Sequence, residues 1–214
     1  RKYFALWNQP HLLTFPKYFR VLEEVPCLQR LFILIVGMPG SGKSLVVQAA
    51  RDLGLPVYTM GDVIREETLK TYGQITHELM VSVSRSLREK HGDEVIALKT
   101  IERIPSDQRI VVIDGVRSMR EVNVFRKHGR TVIIAIHASP QTRFRRLLER
   151  RRPGDPSSYN EFLRRDLTEL GFGIGNVIAI ADYMIVNECP PEETLNKAKS
   201  ILMELVKEHG GNHS

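Results

Sequence analysis

The sequence predicts an α/β domain built on a five-stranded parallel sheet with helices on both faces, and three observations predict it. From Leu31 onward, short runs rich in β-branched residues alternate with longer stretches of helical period, as strands joined by crossover helices do. These runs are nearly all apolar rather than alternating, which suits strands covered on both faces. A glycine-rich octapeptide, Gly37 to Ser44, joins the first run directly to a helical segment.

The strands are read as Leu31 to Val36, Pro56 to Thr59, Arg109 to Ile113, Thr131 to Ile136 and Tyr183 to Val186. Helices fall near Ser44 to Leu53, Asp62 to Tyr72, Ile75 to Lys90, Asp93 to Ile104, Ser118 to His128, Pro140 to Arg151 and Ser158 to Leu170, and another closes the chain from Glu192 to Glu208. The connections Asp62 to Ile104 and Pro140 to Ala181 exceed one crossover helix, so they are expected to project from the sheet as small helical subdomains. Residues 1–30 carry Tyr3, Phe4, Trp7, Phe15, Tyr18 and Phe19 without a period that assigns them a role, and they read as an extension ahead of the working domain, 31–208. Residues 209–214 read as a tail.

Composition narrows the class. A chain of 214 residues, 42% hydrophobic and 26% charged, is long enough for one sizeable core and short for two. Its longest apolar run, Leu31 to Val36, falls far below the roughly 18 residues of a membrane span. Residues 1–10 lack the apolar centre of a signal peptide, and a start at Arg rather than Met reads as trimming. Two distant cysteines, Cys27 and Cys189, fit a reducing cytosol and so a cytoplasmic location. His77-Glu78 is followed by Val81 where a zinc protease needs its second His, and no structural metal is expected. A net charge of +6 favours anionic partners. That charge concentrates in eight arginines, at 143, 145, 146, 150, 151, 152, 164 and 165.

The octapeptide Gly37-Met38-Pro39-Gly40-Ser41-Gly42-Lys43-Ser44 matches GxxxxGK[ST] between strand and helix. Its glycines let backbone N–H groups curl inward, the following helix adds its positive end, and the loop cradles a polyphosphate such as that of ATP. Lys43 would neutralise β and γ phosphates, and the Ser44 hydroxyl would hold Mg²⁺. Asp114, ending the strand Ile110-Val111-Val112-Ile113, is the second candidate Mg²⁺ residue; the other reading is a strand-end turn cap. Gly115 stands where hydrolytic machines often carry a water-activating carboxylate, which leans towards transfer to a bound acceptor. Asn196-Lys197-Ala198-Lys199 lacks the final Asp of a guanine-reading tetrad. In the segment Arg143 to Arg151, helical spacing buries Phe144, Leu147 and Leu148 and leaves Arg143, Arg146 and Arg150 on a shared opposite face.

With Met60-Gly61-Asp62-Val63-Ile64-Arg65-Glu66-Glu67, Val112 to Ser118, Ala135 to Pro140, Phe172 to Asn176 and Ala181 to Asn187, the loop resembles the P-loop nucleoside monophosphate kinases. It is most similar to archaeal adenylate-kinase-related, dephospho-CoA-kinase-like proteins, over roughly Leu31 to Lys207. The resemblance implies a P-loop NTPase fold of nucleotide kinase type, sheet order 2-3-1-4-5, with a helical acceptor-binding insertion near 61–104 and a short lid near 143–166. It implies that Arg65, in Gly61-Asp62-Val63-Ile64-Arg65, and Arg117 meet the acceptor phosphate, Arg117 also touching the group in flight. Asp62 either contacts the acceptor or N-caps its helix, the cap being the favoured reading. Arg146 and Arg150 resemble the lid pair that stacks on adenine and touches phosphate. The expected reaction is Mg²⁺-dependent transfer of the ATP γ-phosphoryl group, with Lys43, Arg117 and Arg150 catalytic, to a nucleotide acceptor, most readily a nucleoside monophosphate such as AMP. Alternatives are dephospho-CoA or another small hydroxyl acceptor, a nucleotide-binding regulator without turnover, and, less favoured, an RNA-associated ATP-dependent switch using the arginine-rich stretch.

Overall fold

The computed structural model describes residues 30–210, so the aromatic stretch ahead of Arg30, Cys27 and the last four residues lie outside the described residues. The elements run β1 (Leu31–Val36), α1 (Lys43–Asp52), β2 (Val57–Thr59), α2 (Met60–Tyr72), α3 (His77–His91), α4 (Val95–Ile101) and β3 (Ile110–Asp114). They continue α5 (Met119–His128), β4 (Arg130–His137), α6 (Pro140–Arg150), α7 (Tyr159–Gly171), α8 (Ile174–Ala179), β5 (Tyr183–Val186) and α9 (Pro191–Gly210). The sheet order is β2-β3-β1-β4-β5, and every pairing is parallel, as the sequence led one to expect.

All six residues of β1 are fully buried, because the strand is central and covered on both faces. Strand geometry sends alternate side chains to opposite sides. Phe32, Leu34 and Val36 join Val63 of α2, Ile96 of α4 and Phe125 of α5 in one core. Leu31, Ile33 and Ile35 join Val46, Ala49 and Ala50 of α1 and Ala198, Leu202 and Leu205 of α9 in the other.

The long connections depart from expectation in one respect. Helix α4 does not project: its Val95, Ile96 and Ala97 are buried in the same core as Phe32 and Leu34. It forms part of the sheet's cover, while α3 packs on α2 and α4. A second difference is α8, which no period announces because six residues are too few to show one. Between α6 and α7, Phe144 of the one and Tyr159 and Phe162 of the other pack their rings at centroid distances of 5.3–5.7 Å. No helix among the described residues is long and apolar enough to cross a membrane.

The carboxyl ends of the parallel strands meet along one edge, where open α/β sheets present their loops. There Asp114 lies opposite Ile35 of β1 on one side and Thr59 of β2 on the other, which sets it beside the glycine loop.

Phe125 is fully buried with its ring centroid 5.3 Å from that of Phe32. Phe125→Ala should lower unfolding stability by about 3–5 kcal/mol through lost burial and a residual cavity. Urea denaturation checks this; a change below about 1 kcal/mol would mean the core closes over the gap.

Candidate functional site

The loop between β1 and α1 is shaped by glycines and clamped from behind. Gly40 sits at φ 80°, where a Cβ would stand 2.8 Å from the Arg143 carbonyl oxygen. Gly42 sits at φ 101° as the N-cap of α1, and a Cβ there would collide with Nδ2 of Asn187. That Asn187 nitrogen donates to the Ser41 carbonyl at 2.8 Å, while Asn187 Oδ1 accepts from the Thr194 hydroxyl at 2.9 Å. The amide is almost wholly buried, so the residue that follows β5 holds the loop in shape. Gly37, Pro39, Gly40, Gly42, Lys43 and Ser44 line a cleft of about 490 Å³. Met38 and Ser41 do not line it; both are buried beneath the loop.

Lys43 donates from Nζ to the Gly37 carbonyl at 2.6 Å. Burial pulls its ammonium pKa down, opposed by the charges of Asp114 and Glu169. Burial likewise pushes the Asp114 carboxyl up, opposed by Lys43 and Arg117. Oδ1 of Asp114 is buried and has no protein partner. A buried carboxylate oxygen left unmatched is costly in a finished structure and natural where a cation belongs. With the Ser44 hydroxyl on the same cleft wall, it presents the hard oxygen donors that Mg²⁺ takes when phosphates supply its other ligands.

Around this centre stand arginines held by carboxylates. Arg117 pairs through Nε with Glu169 Oε2 at 3.4 Å, and its backbone N–H donates to Glu121 Oε2 at 2.7 Å. The other Glu121 oxygen, 3.3 Å away, takes the guanidinium of Arg88, which lines the cleft from α3. Arg150 makes two bonds to Asp155, at 2.8 and 2.5 Å, and Arg165 reaches the same carboxylate at 3.1 Å. Those bonds, Arg150's first, hold Asp155 down at about 2 from its ordinary 3.8. Arg146 donates to the Asn187 carbonyl at 3.0 Å and keeps a buried Nη1 with no partner. Arg146, Arg150, Arg152 and Arg165 all line the cleft.

Three expectations are corrected. Arg143 does not share an exposed face with Arg146 and Arg150; it is 4% exposed, bonded to Asp166 at 2.8 and 2.6 Å, and stacked 5.0 Å over the Phe162 ring. Leu148, expected inside, is 37% exposed. The inward stripe of α6 is therefore Arg143 and Leu147, one helical turn apart, a rotation invisible to periodicity because the partner that makes a buried Arg tolerable lies on α7. Asp62 does not cap α2: the helix starts at Met60, Thr59 is the extended residue before it, and Asp62 falls in the first turn. Asp62 instead pairs with Arg65; both side chains are 51% exposed, and neither lines the cleft. Arg145, Arg151 and Arg164 are exposed.

The AAA domain family matches residues 36–164. Over 186 residues the chain is 56% identical to a UPF0200 protein of Staphylothermus marinus, an alignment covering 86% of this chain and 98% of that relative. The chain belongs to the UPF0200 family. Among solved structures, TT1252 from Thermus thermophilus superposes with TM-score 0.56 at 19% identity, covering 83% of this chain and 98% of that one. Shikimate kinase from Bacteroides thetaiotaomicron superposes with TM-score 0.52 at 16% identity, with the same coverage. At such identities the likeness shows the fold, and the fold of this family member is that of the P-loop kinases.

Sequence reading missed Arg88, Glu121, Asp155, Asp166 and Glu169. Glu121 carried a signal: Ser118-x-x-Glu121 is a capping box, and the Ser118 hydroxyl does accept from the Glu121 N–H at 3.3 Å. Its second duty, gripping Arg88, needs α3 in place.

Two outcomes follow. Asp166→Ala strands Arg143 in the interior and should cost about 3–5 kcal/mol of stability, whereas Arg164→Ala on the same helix, exposed, should stay within about 0.5 kcal/mol by denaturant titration. Asp155 has a folded-state pKa below its unfolded one, so its contribution is full above about pH 4 and is lost as pH falls through about 2. Asp155→Asn should flatten the acid arm of the stability curve over that window; an unchanged slope between pH 4 and pH 2 would refute the role.

Proposed function

We propose that the chain is a phosphotransferase that moves the γ-phosphoryl group of ATP to a nucleotide-like acceptor, a nucleoside monophosphate such as AMP being the first candidate. The observation that carries this reading is the unmatched buried oxygen of Asp114 beside Lys43 and Ser44 at the mouth of the glycine loop. The loop's N–H groups and the start of α1 receive the triphosphate. Lys43 leaves the Gly37 carbonyl for phosphate oxygens, a short swing for a flexible stem. Asp114 and Ser44 would hold Mg²⁺, which when bound neutralises charge on the phosphates.

The other end of the cleft suits an acceptor. Met60, Ile64, Ile96 and Val116 give it an apolar wall, with Arg88 and Arg117 as cations. A guanidinium meets a phosphate with two parallel charged bonds. Both arginines are attached to Glu121, one by its guanidinium and one by its backbone, which limits the reorganisation needed when an anion arrives. Arg65 joins the acceptor only after its pairing with Asp62 opens. Arg146 and Arg150 on α6 supply charge from the lid side and narrow solvent access as α6 closes. Arg146, Arg150, Arg152 and Arg165 line the cleft and Arg143 is buried on Asp166, so five of the eight clustered arginines are committed to the cleft or the interior, which favours a small acceptor over an RNA backbone.

The test is purified full chain with Mg-ATP and a panel of nucleoside monophosphates plus dephospho-CoA, followed for ADP and phosphorylated acceptor. One acceptor should raise ADP formation well above the acceptor-free rate, one product per ADP, with hydrolysis slow because Gly115 leaves no carboxylate at that position to activate water. Lys43→Ala should lower turnover about 10²–10³-fold in a folded protein. ADP forming equally fast with every acceptor and with none, all of it matched by inorganic phosphate, would make the chain an ATPase instead.

A further inference from the structure

Three of the arginines at the cleft are held from behind by carboxylates. Asp155, which grips Arg150 and Arg165, and Glu121, which grips Arg88, are set back from the cleft wall, so an anion entering the cleft meets guanidinium groups whose partners stay in place. Arg117 is different. Its partner Glu169 itself lines the cleft, and apart from Asp114 it is the one carboxylate among the described lining residues. Its side chain is 13% exposed, and its charge is felt by Lys43 as well as by Arg117.

Resting on the phosphotransferase reading, we infer that Glu169 is a positioning residue that stands in for phosphate: its carboxylate occupies Arg117 while the cleft is empty, and an incoming phosphate takes its place. A carboxylate and a phosphate are both anionic oxygen acceptors for a guanidinium, so the swap exchanges one ion pair at Arg117 for another. It leaves Arg117 oriented and paired between turnovers instead of solvated and mobile. It also sets a cost on phosphate binding, since Glu169 must yield and a like charge remains near a polyanion. Because Glu169 sits in the last turn of α7, its release transmits occupancy of the cleft to the lid helices. The same competition discriminates against weakly charged ligands, which cannot displace it.

The experiment is calorimetric binding of inorganic tripolyphosphate with Mg²⁺ to the full chain, needing no acceptor and no turnover. Glu169→Gln removes the competing charge and should tighten binding roughly three- to tenfold, the effect of one partly screened charge pair. Glu169→Asp, which keeps the charge but withdraws it from Arg117, should fall between. In an Arg117→Gln background most of the Glu169→Gln gain should vanish, since the two residues would then act as one coupled pair. A merely structural Glu169 predicts weaker binding and a lower melting temperature in Glu169→Gln. A general base predicts lost turnover with unchanged affinity. Either result, or a gain that survives without Arg117, overturns the swap while leaving the phosphate site standing. If wild type and Lys43→Ala both fail to bind tripolyphosphate, the phosphate site itself is wrong and the swap falls with it.

Discussion

The cleft depends on one strand pairing, that of Ile35 in β1 with Asp114 in β3. β1 is dry on both faces, so it has no polar side to guide its register. Asp114 supplies that guide. Sliding β3 by two residues along β1 would carry a carboxylate into the apolar sheet, where burial without a partner is prohibitive, so the acid is held at the carboxyl edge. The same pairing that completes the core thereby delivers the acid beside the glycine loop, and the loop runs through Lys43 and Ser44 into α1, whose Val46, Ala49 and Ala50 seal the opposite face.

Around that edge the chain concentrates positive charge in a small space and then manages it. Arg143 is neutralised in the interior by Asp166 and carries the packing of α6 on α7 together with the Phe144, Tyr159 and Phe162 rings. Asp155 and Glu121 orient the arginines that remain available to a ligand. Preorganised cations of this kind need little rearrangement when negative charge arrives, which is where electrostatic catalysis draws its strength. Asn187 plays the equivalent part for the backbone, tying the phosphate loop to the start of α9 through Thr194.

The similarity to shikimate kinase at 16% identity shows how little of a sequence the fold requires. A central apolar strand, a glycine loop and crossover helices suffice for the frame, and the segment between β2 and β3 shares no such constraint. Here that segment contributes Ile96 to the core and Arg88 to the cleft, so one wall of the cleft and the hydrophobic core are made from the same few turns of helix.

What the sequence determined by itself was everything carried by local signals: the five apolar strands, the loop from Gly37 to Ser44, the strand-end Asp114 and, from the resemblance, the strand order. Those signals survive because strand burial and loop conformation are imposed within a few residues. Tertiary structure decided the rest. Arg143 reads as exposed until Asp166, 23 residues away, is brought against it. Arg65 carries a motif, but its pairing with Asp62 shows only once α2 is formed, while Arg88 enters from a helix that carries no motif. Charges take their roles from partners supplied by other elements, and a one-dimensional pattern records the charge without recording the partner.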